Sequence, residues 1–176
     1  MIRYQSLSPD QIHLALFAHF NRHQDVTKCW RKVDGKWVVK DIAFTEDWGE
    51  KEFVALVNEL RATLAAGGYV CGAFEGDVLR GFVSVGNERL GSHGQYLELI
   101  CIHVSADERG HGVGRALFSA AKDWARSQGA EKLYISAHSS IESQAFYKAV
   151  GCVEATEYNP ASVEKEPCDC QLECAL

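Results

Sequence analysis

The feature that most constrains this sequence is a strand–loop–helix unit between residues 96 and 127. Residues 96–104 are almost all apolar and predict a buried strand, and a glycine-rich stretch follows at 109–114. Residues 112–127 place apolar side chains on one face of a predicted helix. Glycines let a backbone approach a ligand closely, and the first N–H groups of a helix have no partner within it. The unit therefore predicts an anion site, suited to phosphate, at the start of the helix.

Spacing excludes two well-known phosphate loops. A dinucleotide fingerprint requires Gly-x-Gly-x-x-Gly, but the positions three residues after Gly112 and Gly114 hold arginine and leucine. A P-loop requires Gly-Lys-Ser or Gly-Lys-Thr, and the only Gly-Lys pair here is followed by tryptophan. What remains is Arg109-x-x-Gly112-x-Gly114, to which Arg109 and Arg115 could each add a positive charge.

Length and charge limit the class of protein. A chain of 176 residues with 47% apolar and 24% charged residues is typical of one globular domain. Six acids and one base between residues 154 and 176 account for most of the net charge of −6, so the rest of the chain is nearly neutral. Because no basic stripe is present for a nucleic-acid backbone, nucleic-acid binding is not expected.

Hydropathy and cysteine content predict the location. No apolar run approaches the ~18–20 residues of a membrane span, and the first residues lack the basic and then apolar pattern of a secretory signal. The seven cysteines are odd in number and scattered, which favours free thiols in a reducing compartment. We therefore expect a cytoplasmic protein that does not bind a membrane.

The order of predicted elements indicates a mixed α/β fold. Strands are predicted at 1–4, 69–74, 78–85, 96–104, 133–137, 153–157 and 169–175, with a hairpin turn at Asp34-Gly35. Helices are predicted from Ser8 to about Phe20, over 46–66 and 112–127, and from a capping box of Ser139 and Glu142 to Gly151. This order favours a sheet covered by helices within one domain.

Two motifs together resemble the GNAT superfamily, the acyl-CoA-dependent N-acyltransferases. The pyrophosphate loop of that family, Gln/Arg-x-x-Gly-x-Gly/Ala between a strand and a helix, is similar to residues 109–114. Its second block, Asn-x-x-Ala-x-x-Phe-Tyr-x-x-x-Gly-Phe, is similar to residues 140–152, with Ser140, Ser143 and Cys152 as departures. The resemblance covers residues 69–152 and the closing strands.

The resemblance implies a fold and a division of the chain. The expected fold is α/β, a central mixed, mostly antiparallel sheet of about seven strands flanked by helices on both faces. Residues 1–176 would form a single GNAT-like domain. Within it, 1–68 would be the variable acceptor side, 69–152 the acetyl-CoA-binding core and 153–176 the closing strand pair.

The resemblance also implies an acetyl-CoA site. The main chain of one strand would contact the pantetheine arm, and the loop amides from Gly110 to Arg115 would hold the pyrophosphate. The implied set is Ile102, His103, Val104, Arg109, Gly110, His111, Gly112, Val113, Gly114, Arg115, Ser140 and Tyr147. His111 is expected to contribute its main chain rather than side-chain chemistry.

Two residues are candidates for proton transfer. Glu98 is the only charged residue in its apolar strand, where half-burial would raise its pKa and make it a better base near neutral pH. A structural carboxylate, solvated or paired with Arg or Lys, is the alternative. By the resemblance, Glu98 would deprotonate an acceptor amine and Tyr147 would protonate the departing thiolate. The alternative for Tyr147 is a core aromatic residue with its hydroxyl at the surface.

Histidine and cysteine patterns favour packing over metal binding. His103 alternates with Leu97, Leu99 and Cys101, which predicts that it lies on the strand face opposite Glu98. The closing cysteines Cys168, Cys170 and Cys174 alternate with polar residues, as in a half-buried strand. No paired CxxC spacing or clustered histidine accompanies them, so no metal is expected.

The N-terminal third carries the candidate acceptor residues. Three of the four tryptophans lie between Phe20 and Trp48, together with several arginines and other aromatic residues. Some of these side chains must be core, and the rest suit a small polar ligand. The residues chosen as acceptor-binding candidates are Phe20, Arg22, Trp30 and Trp37.

The resulting hypothesis is an acetyl-CoA-dependent N-acetyltransferase that acts on a primary amine of a small molecule, by direct transfer in a ternary complex. One alternative is a non-catalytic acyl-CoA-binding regulatory module. The other is an acyltransferase with a different acyl group or acceptor. Free edge strands would also permit a homodimer.

Overall fold

The chain folds around a seven-stranded, mostly antiparallel sheet, seen in a computed structural model that describes residues 1–176. The strands are β1 (Ile2–Ser6), β2 (His23–Val33), β3 (Lys36–Asp47), β4 (Tyr69–Glu75), β5 (Val78–Val85), β6 (Tyr96–Val104), β7 (Lys132–Ala137), β8 (Val153–Glu154) and β9 (Cys170–Ala175). The sheet order is β1-β4-β5-β6-β7-β9-β8, and its one parallel pair is β6–β7. β2 and β3 form a separate two-stranded hairpin. The predicted fold class is confirmed.

Helices cover both faces of the sheet. They are α1 (Glu50–Ala65), α2 (Val113–Ser127), α3 (Ile141–Ala149) and α4 (Pro160–Lys165). The apolar face of α2 belongs to a core cluster of 19 buried residues, and that of α1 to a second cluster of 12. Val83 and Val85 of β5 join the first cluster while Phe82, which directly precedes Val83, joins the second, so the clusters lie on opposite faces.

Substitution of Leu117 tests how much the larger core cluster contributes to stability. This α2 side chain is fully buried beneath β5. We expect Leu117→Ala to lower the free energy of unfolding by about 2–5 kcal/mol, because the substitution leaves a cavity that the sheet cannot close. Val54→Ala on the exposed side of α1 is the matched control and should change it by less than about 1 kcal/mol. Urea unfolding measures both, and equal effects would contradict the assignment of this core.

The strands β6 and β7 pair only at their beginnings. Their register runs from Tyr96 to Glu98, after which the two strands separate. On its other side, β6 contains a bulge, because Ser84 pairs with Cys101 and Val85 with Leu99. Ile100 is therefore the extra residue, and the side-chain alternation of β6 changes there.

The bulge overturns the predicted facing of His103. Leu97 and Leu99 lie in the larger cluster, but beyond the bulge it is Ile102 and Val104 that pack against that cluster. The His103 ring instead contacts Phe82 and Trp48 on the opposite face. His103 is thus on the same face as Glu98, because one inserted residue exchanges the two faces.

The N-terminal third differs in detail from the prediction. The helix predicted from Ser8 is reduced to two short 3-10 turns at Pro9–Gln11 and Leu14–Phe17. The turn at Asp34-Gly35 is confirmed, and both residues have positive φ, as a tight hairpin requires. The hairpin strands are longer than expected, so α1 begins at Glu50 rather than near residue 46.

The C-terminal part also differs. Ser140 and not Ser139 caps α3, since its hydroxyl accepts a hydrogen bond from the Ser143 amide. The strand predicted at 153–157 has only two residues, and the unpredicted α4 follows it. The closing strand is buried on both faces rather than one, since Gln171 and Glu173 are 3% and 5% exposed. None of the helices has both the length and the apolar character needed to cross a membrane.

Candidate active site

The separation of β6 from β7 opens a cavity of about 1000 Å³. β6 and the loop before α2 form one side, α3 another, and the β2–β3 hairpin a third. The end of β7 and the segment before β9 complete the lining. The cavity therefore brings the glycine loop, the second motif and the N-terminal third to one place.

The loop before α2 has the geometry of an anion cradle. Gly110 and Gly112 have φ values of 82° and 85°, and open space surrounds the position where a Cβ would lie. Gly112 precedes α2 with no side chain to cap it, so the amides of the first helical turn, from Val113 to Arg115, lack partners within the helix. Backbone N–H groups and the helix dipole both favour a pyrophosphate here.

The exposed edge of β6 offers main-chain groups to the cavity. Ser105 N donates to Arg80 O at 2.8 Å, and hydrogen-bonded residues alternate along an antiparallel pair. The amides of Ile102 and Val104 consequently point away from β5, towards the gap. Arg109 Nε donates to the Val104 carbonyl at 3.2 Å, which holds the loop against the end of the strand. Burial and the nearby Arg22 lower the pKa of Arg109.

Tyr147 lines the same cavity from α3. Its ring is stacked on Phe146, with 5.3 Å between centroids and an interplanar angle of 3°. Burial first, and then the nearby Cys152, Cys101 and Asp169, raise the pKa of Tyr147. The hydroxyl therefore keeps its proton well above neutral pH and is able to donate it.

Two predicted cofactor residues lie outside the cavity lining. Ser140 is fully buried, and its hydroxyl contacts Ser143 and caps α3, with Gln24 Nε2 at 3.4 Å. His111 is exposed in the loop, with its Nδ1 3.7 Å from Glu108 Oε2. Their side chains have structural or surface positions, and a main-chain contact at His111 stays a prediction.

Glu98 also lies outside the cavity lining. It is the last residue of the β6–β7 register and is half-buried. Burial raises the pKa of Glu98, Lys165 lowers it and Glu88 raises it further. The raised pKa agrees with the expectation from sequence, but a role in proton transfer would need water between this carboxylate and the cavity.

Of the four residues predicted to bind the acceptor, only Arg22 lines the cavity. Phe20 is in the core with Phe17 and Phe82, and Trp30 and Trp37 pack against the larger cluster. None of these three lines the cavity, because Phe20 precedes the hairpin and is buried in the smaller cluster, while the two hairpin tryptophans pack against the larger one. From the same segment, the cavity-lining residues are Arg22, Gln24, Asp25, Cys29, Arg31, Phe44, Glu46 and Trp48.

Arg22 is held in the cavity wall by neighbours on three sides. Its side chain is 8% exposed and its guanidinium lies over the Trp48 ring at 5.2 Å. Nε donates to His103 Nδ1 at 3.1 Å, and Nη2 donates to Glu46 Oε2 at 2.7 Å. Burial and the charges of Arg22 and Arg109 lower the pKa of His103 to about 3, so this ring is a neutral acceptor. Nη1 has no hydrogen-bond partner.

Several other side chains line the cavity although no sequence motif marks them as site residues. His138 follows β7, with its Nε2 3.6 Å from Glu46 Oε1, and its Nδ1 accepts a hydrogen bond from the Ser140 amide. Ser136 and Asp169 are joined by a hydrogen bond at the ends of β7 and β9. These residues belong to no motif, because long-range strand pairing alone brings them together.

The closing cysteines lie in two different environments. Cys170 and Cys174 are in the larger core cluster, and Cys168 is exposed at the cavity. All seven cysteines are free, and no group of three or more His, Cys, Asp or Glu side chains is arranged to hold a metal ion.

Solved structures with the same architecture are acetyltransferases. A protein from Bacillus anthracis described as a streptothricin acetyltransferase, in complex with acetyl coenzyme A, is 14% identical over 100% of this chain and 99% of its own, with a TM-score of 0.74. Nourseothricin acetyltransferase is 18% identical over 99% and 98%, with a TM-score of 0.67. The PaiA N-acetyltransferase of Thermoplasma acidophilum, in complex with coenzyme A, is 12% identical over 100% and 99%, with a TM-score of 0.61. At these identities the likeness shows the fold.

Sequence comparison identifies the family. No curated protein matches the chain in sequence. The profile of the acetyltransferase (GNAT) family, however, matches residues 28–152, which include the loop, the open edge of β6 and Tyr147. The chain thus belongs to the GNAT family of acetyltransferases and is an acyltransferase enzyme.

Proposed function

We propose that this enzyme transfers an acetyl group from acetyl-CoA to a primary amine of a small molecule, directly within a ternary complex. One observation carries the proposal: the glycine loop, the open edge of β6 and Tyr147 all line a single cavity. The residues present fit acetyl-CoA, since loop amides suit a pyrophosphate and strand amides suit an amide-containing arm. The neighbours in complex with acetyl coenzyme A or coenzyme A support the same donor.

The enzyme's contribution to rate is positioning and proton transfer. Because the amine is held against the thioester within the complex, the reaction between them becomes an effectively unimolecular step. The Val104 amide points into the gap, where it can stabilise negative charge on the carbonyl oxygen. Tyr147 donates its proton to the departing thiolate. Removal of the amine proton by Glu98, as the resemblance implies, would proceed through water because Glu98 does not line the cavity.

The acceptor side of the cavity supports a small amine. Glu46 and Asp25 from the hairpin add negative charge there, which attracts a cationic acceptor. The names of two neighbours suggest streptothricin as the first acceptor to examine. The free cysteines fit a reducing compartment, and we place the enzyme in the cytoplasm.

Calorimetric titration and CoA release test the function. Acetyl-CoA and CoA are titrated into the protein, and streptothricin, lysine and 1,4-diaminobutane are then screened for release of CoA from acetyl-CoA. Binding of the donor together with amine-dependent release supports an N-acetyltransferase. Binding without release for any amine would favour a non-catalytic acyl-CoA-binding module, and absence of binding would contradict the donor.

Arg22 provides a separate test of the acceptor side. We expect Arg22→Gln to raise KM for the acceptor by roughly 10- to 100-fold, because a buried charged hydrogen-bond donor contributes about 1.5–3 kcal/mol. The Kd for acetyl-CoA should stay within about threefold, since the phosphate loop is unchanged. Steady-state kinetics and calorimetry measure the two values.

Arg80→Gln is the matched control for Arg22. Arg80 makes ion pairs with Glu75 and Asp107 but lies outside the cavity lining. Arg80→Gln should leave both the KM for the acceptor and the Kd for acetyl-CoA unchanged. If Arg22→Gln raises the Kd for acetyl-CoA and leaves the KM for the acceptor unchanged, Arg22 contacts acetyl-CoA rather than the acceptor.

A further inference from the structure

A carboxylate that no motif marks lies inside the cavity. Asp169 immediately precedes β9, and the last pair of the β7–β9 ladder is Ala137 with Cys170. Asp169 therefore lies beside the end of β7, where β6 and β7 are apart. It is half-buried and lines the same cavity as Tyr147, whereas Glu98 does not.

A chain of hydrogen bonds orients this carboxylate. Ser136 Oγ donates to Asp169 Oδ2 at 3.0 Å and accepts from Gln171 Nε2 at 3.1 Å. Gln171 is in turn fixed by the Tyr134 hydroxyl, which accepts from the Asn159 amide. Gln171 Nε2 can only donate and an ionised carboxylate can only accept, so the Ser136 proton is directed at Asp169. Oδ2 is held in this way, and no hydrogen bond or ion pair engages Oδ1.

The surroundings of Asp169 suit a base. Burial raises the pKa of Asp169, and Glu166 raises it further, while Ser136 and His138 lower it. A carboxylate whose pKa lies closer to neutrality accepts protons more effectively. The charge of Asp169 also contributes to the raised pKa of Tyr147, so the carboxylate and the thiolate-protonating hydroxyl are electrostatic neighbours.

We propose that Asp169 binds the acceptor's ammonium group through Oδ1 and accepts its first proton. The inference rests on the proposed acetyl transfer, and it assigns to Asp169 the direct contact with the amine that Glu98 cannot make from outside the cavity. Asp169 and Tyr147 line the same cavity and interact electrostatically, so both proton-transfer groups face a substrate bound there.

The proton and electron count of this step balances. The ammonium group loses one proton to Asp169, and the nitrogen lone pair forms a bond to the acetyl carbon. The carbon–sulfur bond breaks, its electron pair leaves with sulfur, and sulfur takes the Tyr147 proton. The second nitrogen proton returns to the Tyr147 oxygen, and Asp169 releases its proton to solvent.

Asp169→Asn, which keeps the shape of the side chain, tests the assignment. With the fastest amine of the screen (streptothricin, lysine or 1,4-diaminobutane), kcat/KM at pH 7 should fall by about 100-fold or more. The deficit should narrow as pH rises, because the acceptor then arrives without its extra proton. Asp123→Asn on the exposed surface of α2 is the control and should retain the parent rate at every pH. Calorimetry should show an unchanged Kd for acetyl-CoA.

Ser136→Ala gives a second readout. The Ser136 hydrogen bond lowers the pKa of Asp169, so its loss should move the acidic limb of kcat/KM to higher pH. Other titratable groups facing Asp169 are Glu166, His138, Tyr147 and Cys170. None of these forms a hydrogen bond with Ser136 Oγ, so a shift of the limb reports Asp169.

The outcomes separate this assignment from the proposed function. If the parent protein releases no CoA with any amine, acetyl transfer itself is contradicted. If the parent is active and Asp169→Asn shows no deficit, or a deficit that is the same at every pH, Asp169 is not the base. Loss of activity in Glu98→Gln while Asp169→Asn stays active would assign the proton to Glu98 and overturn the proposal.

Discussion

Gly112→Glu is expected to abolish acetyl-CoA binding. Gly112 has a φ of 85° at the residue before α2, where a side chain strains the backbone. The glutamate would also place a negative charge beside the amides that are to hold the pyrophosphate. Loss of two charge-assisted hydrogen bonds, each about 1.5–3 kcal/mol, predicts at least ~100-fold weaker binding. Calorimetric titration of acetyl-CoA measures the loss.

Gly76→Glu is the matched control for Gly112. Gly76 also has a positive φ, 60°, with open space where a Cβ would lie, but it forms the β4–β5 turn away from the cavity. Its variant carries a comparable backbone strain and the same added charge, so it should bind acetyl-CoA as the parent does. Weakened binding in Gly76→Glu, or retained binding in Gly112→Glu, would contradict the assignment of the loop.

Tyr147→Phe is expected to lower kcat by roughly 100- to 1000-fold with little change in the KM for acetyl-CoA. Loss of a general acid removes stabilisation that arises only in the transition state, whereas the ring that packs on Phe146 is kept. Because burial raises the pKa of Tyr147, the parent rate should not fall at moderately alkaline pH through ionisation of this group. Steady-state CoA release from pH 6 to 9 measures both effects.

The control for Tyr147 is another half-buried tyrosine. Tyr69 in β4 is stacked on Trp124, with 5.3 Å between ring centroids, and lies outside the cavity. Tyr69→Phe should keep the parent kcat. If Tyr147→Phe loses affinity for acetyl-CoA but keeps kcat, the residue packs against the donor and does not transfer a proton.

The sheet core and its main helix follow closely from local sequence. Residues 96–104 and 112–127 were predicted from an apolar run and a 3.6-residue period, and the strand and α2 have nearly these bounds. The weak elements were less well predicted. β8 has two residues and α4 has six, too short for periodicity to distinguish them. The helix predicted from Ser8 is replaced by two 3-10 turns, and apolar side chains of this segment share a core cluster with those of α1.

In the site, too, local features could be predicted from the sequence and long-range features could not. The loop from Arg109 to Gly114 could be recognised because a phosphate cradle is built from consecutive residues. The bulge at Ile100 could not, because it exists only in the register between β5 and β6. It places His103 on the opposite face from the predicted one, where His103 accepts a hydrogen bond from Arg22.

The sequence by itself determined the parts whose chemistry is local: the order of the core elements, the glycine loop, the second motif with Tyr147 and, through them, the family. The tertiary structure alone decided which distant residues share the cavity. Arg22 and His103 are 81 residues apart, and Ser136 and Asp169 are 33 residues apart. Such contacts depend on strand register and on where β6 and β7 separate, and a linear pattern of residue types carries neither.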